Sequence, residues 1–405
     1  MKVTVFKSKA HKEITVPASK SYCHRILLAA FMCFDKVEIN NLYFNEDIKA
    51  TAKCLENLGA NFQVFKNKVA LSSKSENIKD GAVLDCNESG STLRFLIPIA
   101  FLTGKKLVFT GSERLFSRPL GIYETISEQD GIYFKKEKNR LVVFGKIKGG
   151  EYKIPGDISS QFITGLLYVL PLLKTDSKII FTTQIESKSY IDITIDVLKT
   201  FGINIEFKEN SIYIKGNQKY IPLKKEYFVP ADQSSAAFFG GFNAVGNEFI
   251  IKNPEENSLQ GDRVWQDYFE KLAKGSPVLS VKNCPDLAPV LTAVAAALHG
   301  AVLTDTKRLK LKESDRAEAM KEELLKFGIK IENKENEIII PHSKLSKPNS
   351  ELCGHNDHRI VMALTILLSL TGGTIEGAQA VNKSFPDFFD IIESAGIKLI
   401  KEDSK

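Results

Sequence analysis

A short polar cluster followed at once by an apolar run recurs six times along this chain, and that repetition limits the folds open to it more than any other feature. The fullest copy is Ile154-Pro155-Gly156-Asp157-Ile158-Ser159-Ser160-Gln161, leading into the apolar stretch from Phe162 to Leu173. Pro155 keeps the chain before it extended, Asp157 or Ser159 can cap a helix, and the freed N–H groups at such a helix start attract anions. Val16-Pro17-Ala18-Ser19-Lys20-Ser21 and Val229-Pro230-Ala231-Asp232-Gln233-Ser234-Ser235 repeat the plan. Looser copies are Ser89-Gly90-Ser91-Thr92-Leu93-Arg94, Pro285-Asp286-Leu287-Ala288-Pro289 and Asn356-Asp357-His358-Arg359. After a β-rich stretch each is followed by a more amphipathic helix that ends at a glycine, as at Gly59, Gly131, Gly202, Gly328 and Gly396. Most of these glycines fall roughly 70 residues apart, a period that marks an internal repeat. The unit reads β-α-β-α-β-β. In the fourth copy Arg263 to Leu272 is followed quickly by Gly275 and Pro285, so that unit is expected to lack a hairpin.

Six such units are too many for one core, and 405 residues with 43% hydrophobic content suffice for two. An α/β (α+β) fold of two domains, each of three units, is therefore expected. The extended Val16-Pro17 and Val229-Pro230 segments look like the crossings. They give a discontinuous domain of 1–17 with 228–405 and an inserted domain of 18–227. The first strand, Val3 to Phe6, then joins the C-terminal half, and helix starts from both domains are expected to line a positive cleft between them.

A net charge of +6, with lysines spread along the chain, does not demand bulk nucleic-acid binding and suits small anionic ligands equally well. Lys20, His24 and Arg25 interrupt the first apolar run, so no signal segment is expected there. The run from Ile163 to Leu173 carries Gly165 and Pro171 and is too short to cross a bilayer. Six cysteines without a C-x-x-C pair fit reduced thiols, and the chain reads as a soluble, cytoplasmic protein. No Walker loop or dinucleotide fingerprint is present.

The residues that can carry chemistry cluster at the helix starts. Lys20, Ser21 and Arg25 place a point charge, a hydroxyl and a guanidinium fork together, with a solvated first turn as the alternative. Gly90 allows a ligand close to the backbone, and Arg94 beside it reads equally as a salt-bridge residue. Ser159, Ser160 and Gln161 offer more polar groups than capping needs, and Ser187 with Tyr190 opens the next helix. Asp286 is either a cap or a perturbed carboxylate among apolar neighbours. Lys312-Glu313-Ser314-Asp315-Arg316 is a dense charged run that alone would read as a solvated face. An Arg at 359, opening an apolar helix, is costly to bury without an anion or acid partner. Lys383-Ser384-Phe385-Pro386-Asp387-Phe388 closes the series. His355 and His358 have a spacing that a metal could use, but no third ligand lies nearby in sequence.

In this order, Ser19-Lys20-Ser21 with Arg25, Ser89-Gly90 with Arg94, Arg118-Pro119, Asp157 to Gln161, Pro285 to Pro289, Lys312 to Arg316, Asp357-His358-Arg359 and Lys383 to Phe388 resemble the enolpyruvyl transferase family of EPSP synthase (3-phosphoshikimate 1-carboxyvinyltransferase) over essentially the full length. The resemblance implies the family's two-domain inverse α/β barrel with its active site in the interdomain cleft. It also implies transfer of the enolpyruvyl group of phosphoenolpyruvate to the 5-hydroxyl of shikimate 3-phosphate, with release of phosphate. Carried over, Ser21, Arg25, Ser159, Ser160, Gln161, Ser187 and Lys312 would hold shikimate 3-phosphate. Lys20, Gly90, Arg118, Gln161, Arg316, Arg359 and Lys383 would hold phosphoenolpyruvate. Glu313 would be the acid, and Asp286, with Lys20, the base. The resemblance implies no metal and no cofactor, no nucleic-acid or membrane partner, and a monomer.

Two residues depart from the family pattern: Glu88 stands where Asn commonly precedes the Ser/Ala-Gly pair, and Arg308 where Asn or another polar residue is common. The sibling transferase acting on UDP-N-acetylglucosamine carries a catalytic Cys shortly before its Arg-Pro pair, but Gly111 to Ser117 contains none. An RNA-binding reading would need exposed aromatics among basic patches, whereas Phe162, Phe238 and Phe239 sit in apolar helices.

Overall fold

The computed structural model describes residues 1–65, 68–74 and 77–402. The chain divides into two compact units, Met1–Pro17 with Ala231–Lys405, and Ala18–Pro230. Among the described residues there are five four-stranded sheets and one two-stranded sheet, and no strand pairing joins the two units.

The five larger sheets share one plan: a parallel pair, then an antiparallel neighbour, then an antiparallel edge strand. Val83–Asp85 pairs in parallel with Leu107–Thr110, which pairs with Arg140–Phe144, which pairs with Tyr133–Lys136. Glu151–Ile154, Ser177–Phe181, Ser211–Ile214 and Ile205–Lys208 repeat it. So do Val278–Ser280, Ala301–Thr304, Glu337–Ile340 and Glu332–Asn333. Parallel strands need a crossover, and in each of these units a buried helix supplies it.

The first, fourth and last units borrow strands from distant parts of the chain. Glu226–Phe228 lies parallel to Val37–Asn40 and so completes the first unit of the inserted domain. That pairing places the second crossing between Pro230 and Ala231, three residues beyond the 227/228 boundary expected from sequence. His11–Ile14 pairs in parallel with Glu248–Ile251, and these two strands are the whole of the fourth sheet, which lacks the hairpin. Lys2–Val5 pairs with both Gly373–Glu376 and Leu399–Glu402, tying the N-terminus into the last unit.

Each unit buries one helix on nearly all sides and exposes one face of the other. In Gly90–Thr103, Leu93, Phe95, Leu96, Ile97, Ile99, Ala100 and Phe101 are all buried. In Glu46–Asn57, Ile48, Ala52 and Leu55 point inward while Lys49, Lys53 and Glu56 are exposed, the pattern of a helix with one apolar face. The amphipathic helices end alike. At Gly59, Gly131, Gly202, Gly328 and Gly396 the backbone is left-handed. The next residue donates its N–H to the carbonyl five residues earlier, as Ala60 does to Leu55 (2.9 Å) and Ile203 to Leu198 (3.0 Å).

Pro98 lies inside Gly90–Thr103 and has no N–H for the carbonyl of Arg94 four residues earlier. The Tyr123 hydroxyl donates to that carbonyl at 2.6 Å. Room for this bond comes from Gly165, where a Cβ would stand 2.4 Å from the Tyr123 oxygen. Three helices are thus locked together beside the residue that presents the Arg94 side chain.

Candidate active site

In the inserted unit the sequence-marked residues gather at four helix starts. Lys20 opens Lys20–Met32 and donates from Nζ to the Asp47 carboxylate at 2.9 Å. Arg25, one turn on, is buried; its Nε donates to Thr194 Oγ1 (2.8 Å), Nη1 to the Ser21 carbonyl (2.8 Å), and Nη2 to the Tyr190 carbonyl (3.0 Å) and Thr164 Oγ1 (3.3 Å). Its guanidinium also lies 5.3 Å from the Phe95 ring centre and 5.9 Å from that of Tyr190.

At the second start, Ser89 caps Gly90–Thr103 by accepting from the Thr92 N–H at 3.2 Å. A Cβ on Gly90 would lie 2.9 Å from the guanidinium nitrogens of both Arg94 and Arg118, so the missing side chain is what lets two cations close over this helix end. Arg94 Nη1 donates to Gln161 Oε1 (2.7 Å) and Nη2 to the Pro119 carbonyl (3.2 Å), while the group lies 5.2 Å from the Phe162 ring centre. These neutral partners exclude the salt-bridge reading of Arg94. Burial, and then the charge of Arg118, bring its pKa down to about 9.

Gln161 also donates from Nε2 to Ser91 Oγ at 3.0 Å, so the second and third helix starts are stitched together. Ser159, not Asp157, caps Ser160–Val169, accepting from the Gln161 N–H at 3.3 Å. The Asp157 carboxylate instead accepts from the Thr183 hydroxyl at 2.7 Å. Ser187 precedes Lys188–Thr200 with φ of 55°, a left-handed backbone unusual for serine, and its side chain does not cap that helix.

In the other unit the centre is Asp286. Its carboxylate accepts from Arg316 Nη1 (2.7 Å), Arg359 Nη2 (2.9 Å) and Lys312 Nζ (3.2 Å). Burial alone would raise its pKa, but Arg359, Lys312 and Arg316 outweigh it and hold the group well below the ordinary carboxylate range. Lys312 shows the converse: burial pushes it down to about 8, with Arg316 and Arg308 assisting and Asp286 opposing. Arg316 also bonds through Nε to Asp357 at 2.8 Å, and Asp357 caps His358–Thr371 while accepting from Ser314 at 3.1 Å. Glu313 pairs with His358 Nδ1 at 2.9 Å. Lys383 donates to the Asn356 carbonyl at 2.5 Å, beside His355 and Asn356, both left-handed.

Among the described residues, two groups of three side chains bring potential ligand atoms within 4.8 Å of one another, Glu313 with Asp357 and His358, and Glu322 with Glu323 and His355. The two histidines thus serve different carboxylates and do not form one site. In the first group Asp357 already engages Arg316, and in the second Glu323 holds both Lys326 (2.9 Å) and His355 (2.9 Å).

Several partners escaped sequence reasoning. Asp47 reaches Lys20 from a separate helix, and nothing in a 27-residue separation announces the pair. Asp262 lies buried against the Ser234 hydroxyl, and its pKa is raised to about 7 by burial and then by the charge of Asp286. Arg308 donates to the Lys282 carbonyl at 3.2 Å.

The family model described as EPSP synthase (3-phosphoshikimate 1-carboxyvinyltransferase) matches residues 6–392. The 3-phosphoshikimate 1-carboxyvinyltransferase of Clostridium novyi is 39% identical over 427 aligned positions that cover 97% of each chain. That of Clostridium kluyveri is 38% identical over 416 positions, again 97% of each. Among solved structures, two of EPSP synthase from Acinetobacter baumannii superpose with TM-scores of 0.78 and 0.79 at 22% and 21% identity, covering 99–100% of this chain and all of theirs. The fold is therefore the two-domain inverse α/β barrel of those enzymes. On the full-length match and on relatives nearly two-fifths identical, this chain belongs to the EPSP synthase family.

Proposed function

We propose that the chain transfers the enolpyruvyl group of phosphoenolpyruvate to the 5-hydroxyl of shikimate 3-phosphate, giving 5-enolpyruvylshikimate 3-phosphate and phosphate on the route to chorismate and aromatic amino acids. The observation that carries this reading is the charge pattern of the inserted unit. Arg25, Arg94 and Arg118 are wholly or partly buried; Arg25 and Arg94 donate to neutral groups, and among the described residues no carboxylate pairs with any of the three. The buried Nε atoms of Arg94 and Arg118 make no hydrogen bond. Buried cations without an acid call for anionic ligands, and both substrates are anions.

In this reading Ser21, Arg25, Ser159, Ser160, Gln161, Ser187 and Lys312 position shikimate 3-phosphate. Lys20, the backbone at Gly90, Arg118, Gln161, Arg316, Arg359 and Lys383 take phosphoenolpyruvate. Asp286 removes the 5-hydroxyl proton with Lys20 assisting, while Glu313 delivers a proton to the methylene carbon of the enolpyruvyl group. A tetrahedral adduct forms, and the pair reverses roles as phosphate leaves. Asp286 is a weak base while three cations surround it. Those cations are the ones assigned to the substrates, so their turning toward phosphate and carboxylate groups raises the basicity of Asp286 as the ternary complex forms. No metal or cofactor enters the scheme.

Six free cysteines suit a reducing cytoplasm, and a monomer acting there is the assembly proposed. The test is phosphate release from phosphoenolpyruvate with shikimate 3-phosphate, beside a control with UDP-N-acetylglucosamine. Release with the first alone is expected, and release only in the control overturns the reading.

A further inference from the structure

Behind Lys20 and Gly90 runs a row of fully buried polar side chains from three different helices. His24 Nδ1 lies 2.8 Å from Thr51 Oγ1, Thr51 Oγ1 lies 2.7 Å from Thr92 Oγ1, and Thr92 Oγ1 lies 2.7 Å from Ser89 Oγ. Thr51 and Thr92 also approach the Asp47 carbonyl, at 3.3 and 3.4 Å. All four side chains are at most 1% exposed. His24 belongs to the helix that opens with Lys20, Thr51 to the helix bearing Asp47, and Ser89 with Thr92 to the helix that opens at Gly90.

The row has a direction. Burial, aided by the charges of Lys20 and Arg25, holds the imidazole neutral. Its other nitrogen, Nε2, is buried without a hydrogen-bond partner. A bare lone pair is cheaper to bury than an unmade N–H, so the proton belongs on Nδ1 and is donated to Thr51. Thr51 can then donate to Thr92, and Thr92 donates to Ser89, whose oxygen also accepts from the Thr92 N–H. One of the ends being held is the Lys20–Asp47 ion pair, and the other is the helix start closed over by Arg94 and Arg118.

Building on the proposed function, we infer that His24, Thr51 and Thr92 are positioning residues whose hydrogen-bonded row keeps Lys20 in register with the Gly90 helix start, so that both meet the same phosphoenolpyruvate. None of the three touches substrate in this scheme. Their effect is transmitted through Lys20 and the Gly90 backbone, and it should fall on phosphoenolpyruvate while sparing shikimate 3-phosphate.

The test compares the wild type with Thr92→Val, Thr92→Ser and the double variant Thr51→Val with Thr92→Val. The double variant removes both hydroxyls of the central bond while keeping shape but deprives the His24 Nδ1–H of its acceptor, so Thr92→Val alone, which leaves Thr51 bonded to His24 and to the Asp47 carbonyl, keeps the test decisive if the double variant does not fold. Wild-type turnover of the two substrates is read first and settles the functional reading separately. Both valine variants should raise KM for phosphoenolpyruvate about tenfold and leave KM for shikimate 3-phosphate within about twofold, while Thr92→Ser, which keeps the hydroxyl, should stay near the wild type. Both KM values moving together, or neither moving, overturns the inference. Amide exchange is followed in the same proteins at 20–25 and 89–92, and needs no turnover. Thr92→Val should quicken exchange at both helix starts, and quickening confined to 89–92 overturns the inference even if the wild type proves inactive with these substrates.

Discussion

Asp286 shows how much a single position can owe to its neighbours. The apolar setting of Asp286 in the sequence leaves open whether it is a cap or a perturbed carboxylate; in the fold three cations converge on it and hold its pKa down. Arg316 and Lys312 come from a segment that alone reads as a solvated charge run. Only the fold turns Arg316 inward, leaving its side chain 2% exposed. The motif was therefore legible in the sequence while its charge balance was not. Asp286→Ala and Glu313→Gln should each lower kcat by about 10²–10⁴-fold, the usual range for a lost acid–base group, while far-UV circular dichroism and the thermal midpoint stay close to wild type. Turnover near normal in either variant removes it from the mechanism. Lys312 gives a pH signature. It loses its proton above about 8, where an ordinary lysine stays charged to about 10.5. An anion favours the protonated form, so KM for shikimate 3-phosphate should climb as pH rises through 8, and binding should take up a proton between pH 8 and 10.5. Lys312→Arg keeps the charge in that range and should flatten the rise, as pH-dependent kinetics and calorimetry in two buffers can show.

At the scale of elements the glycine-ended amphipathic helices were the clearest signal, because apolar spacing and a left-handed terminal residue are both written locally. Capping was less clear. Asp157 and Ser159 are equally good caps by composition, and the choice of Ser159 follows from Thr183, a residue of a distant turn that occupies the Asp157 carboxylate. Pro98 is a similar case. A proline within an apolar run argues against a continuous helix, yet Gly90–Thr103 continues through it because the Tyr123 hydroxyl replaces the missing donor. Tyr123→Phe should therefore cost about 1–3 kcal/mol, the expense of leaving the Arg94 carbonyl unsatisfied in the core. Chemical denaturation measures this directly. The loss should be accompanied by weaker binding of phosphoenolpyruvate, since the Arg94 side chain hangs from the same residue and holds the amide of Gln161, which is assigned to that substrate. An unchanged midpoint would mean that water or another group already serves the carbonyl.

For the whole molecule, the count of six repeats and the division into three and three followed from periodicity, because repeats write the same pattern many times. The borrowed strands were harder to see. Nothing local marks Glu226–Phe228 as the partner of Val37–Asn40, and this long-range pairing is what moves the boundary to Pro230. The inserted unit contains its own three sheets and its own apolar core. A protein consisting of residues 18–230 should accordingly fold with a single cooperative transition and form no product, since Asp286, Glu313 and the cations around them are absent. A broad, non-cooperative melt of that fragment would show that its core depends on the rest of the chain.

In the proposed reaction Glu313 protonates the methylene carbon of phosphoenolpyruvate as the adduct forms, and turnover in deuterium oxide with mass spectrometry of the enolpyruvyl product reads that step. Protonation creates a methyl group whose hydrogens become equivalent by rotation, so the wild type is expected to leave solvent deuterium in the vinyl methylene of the product, and Glu313→Gln to suppress this exchange together with turnover. A wild-type product free of deuterium, or undiminished exchange in Glu313→Gln, would contradict the account.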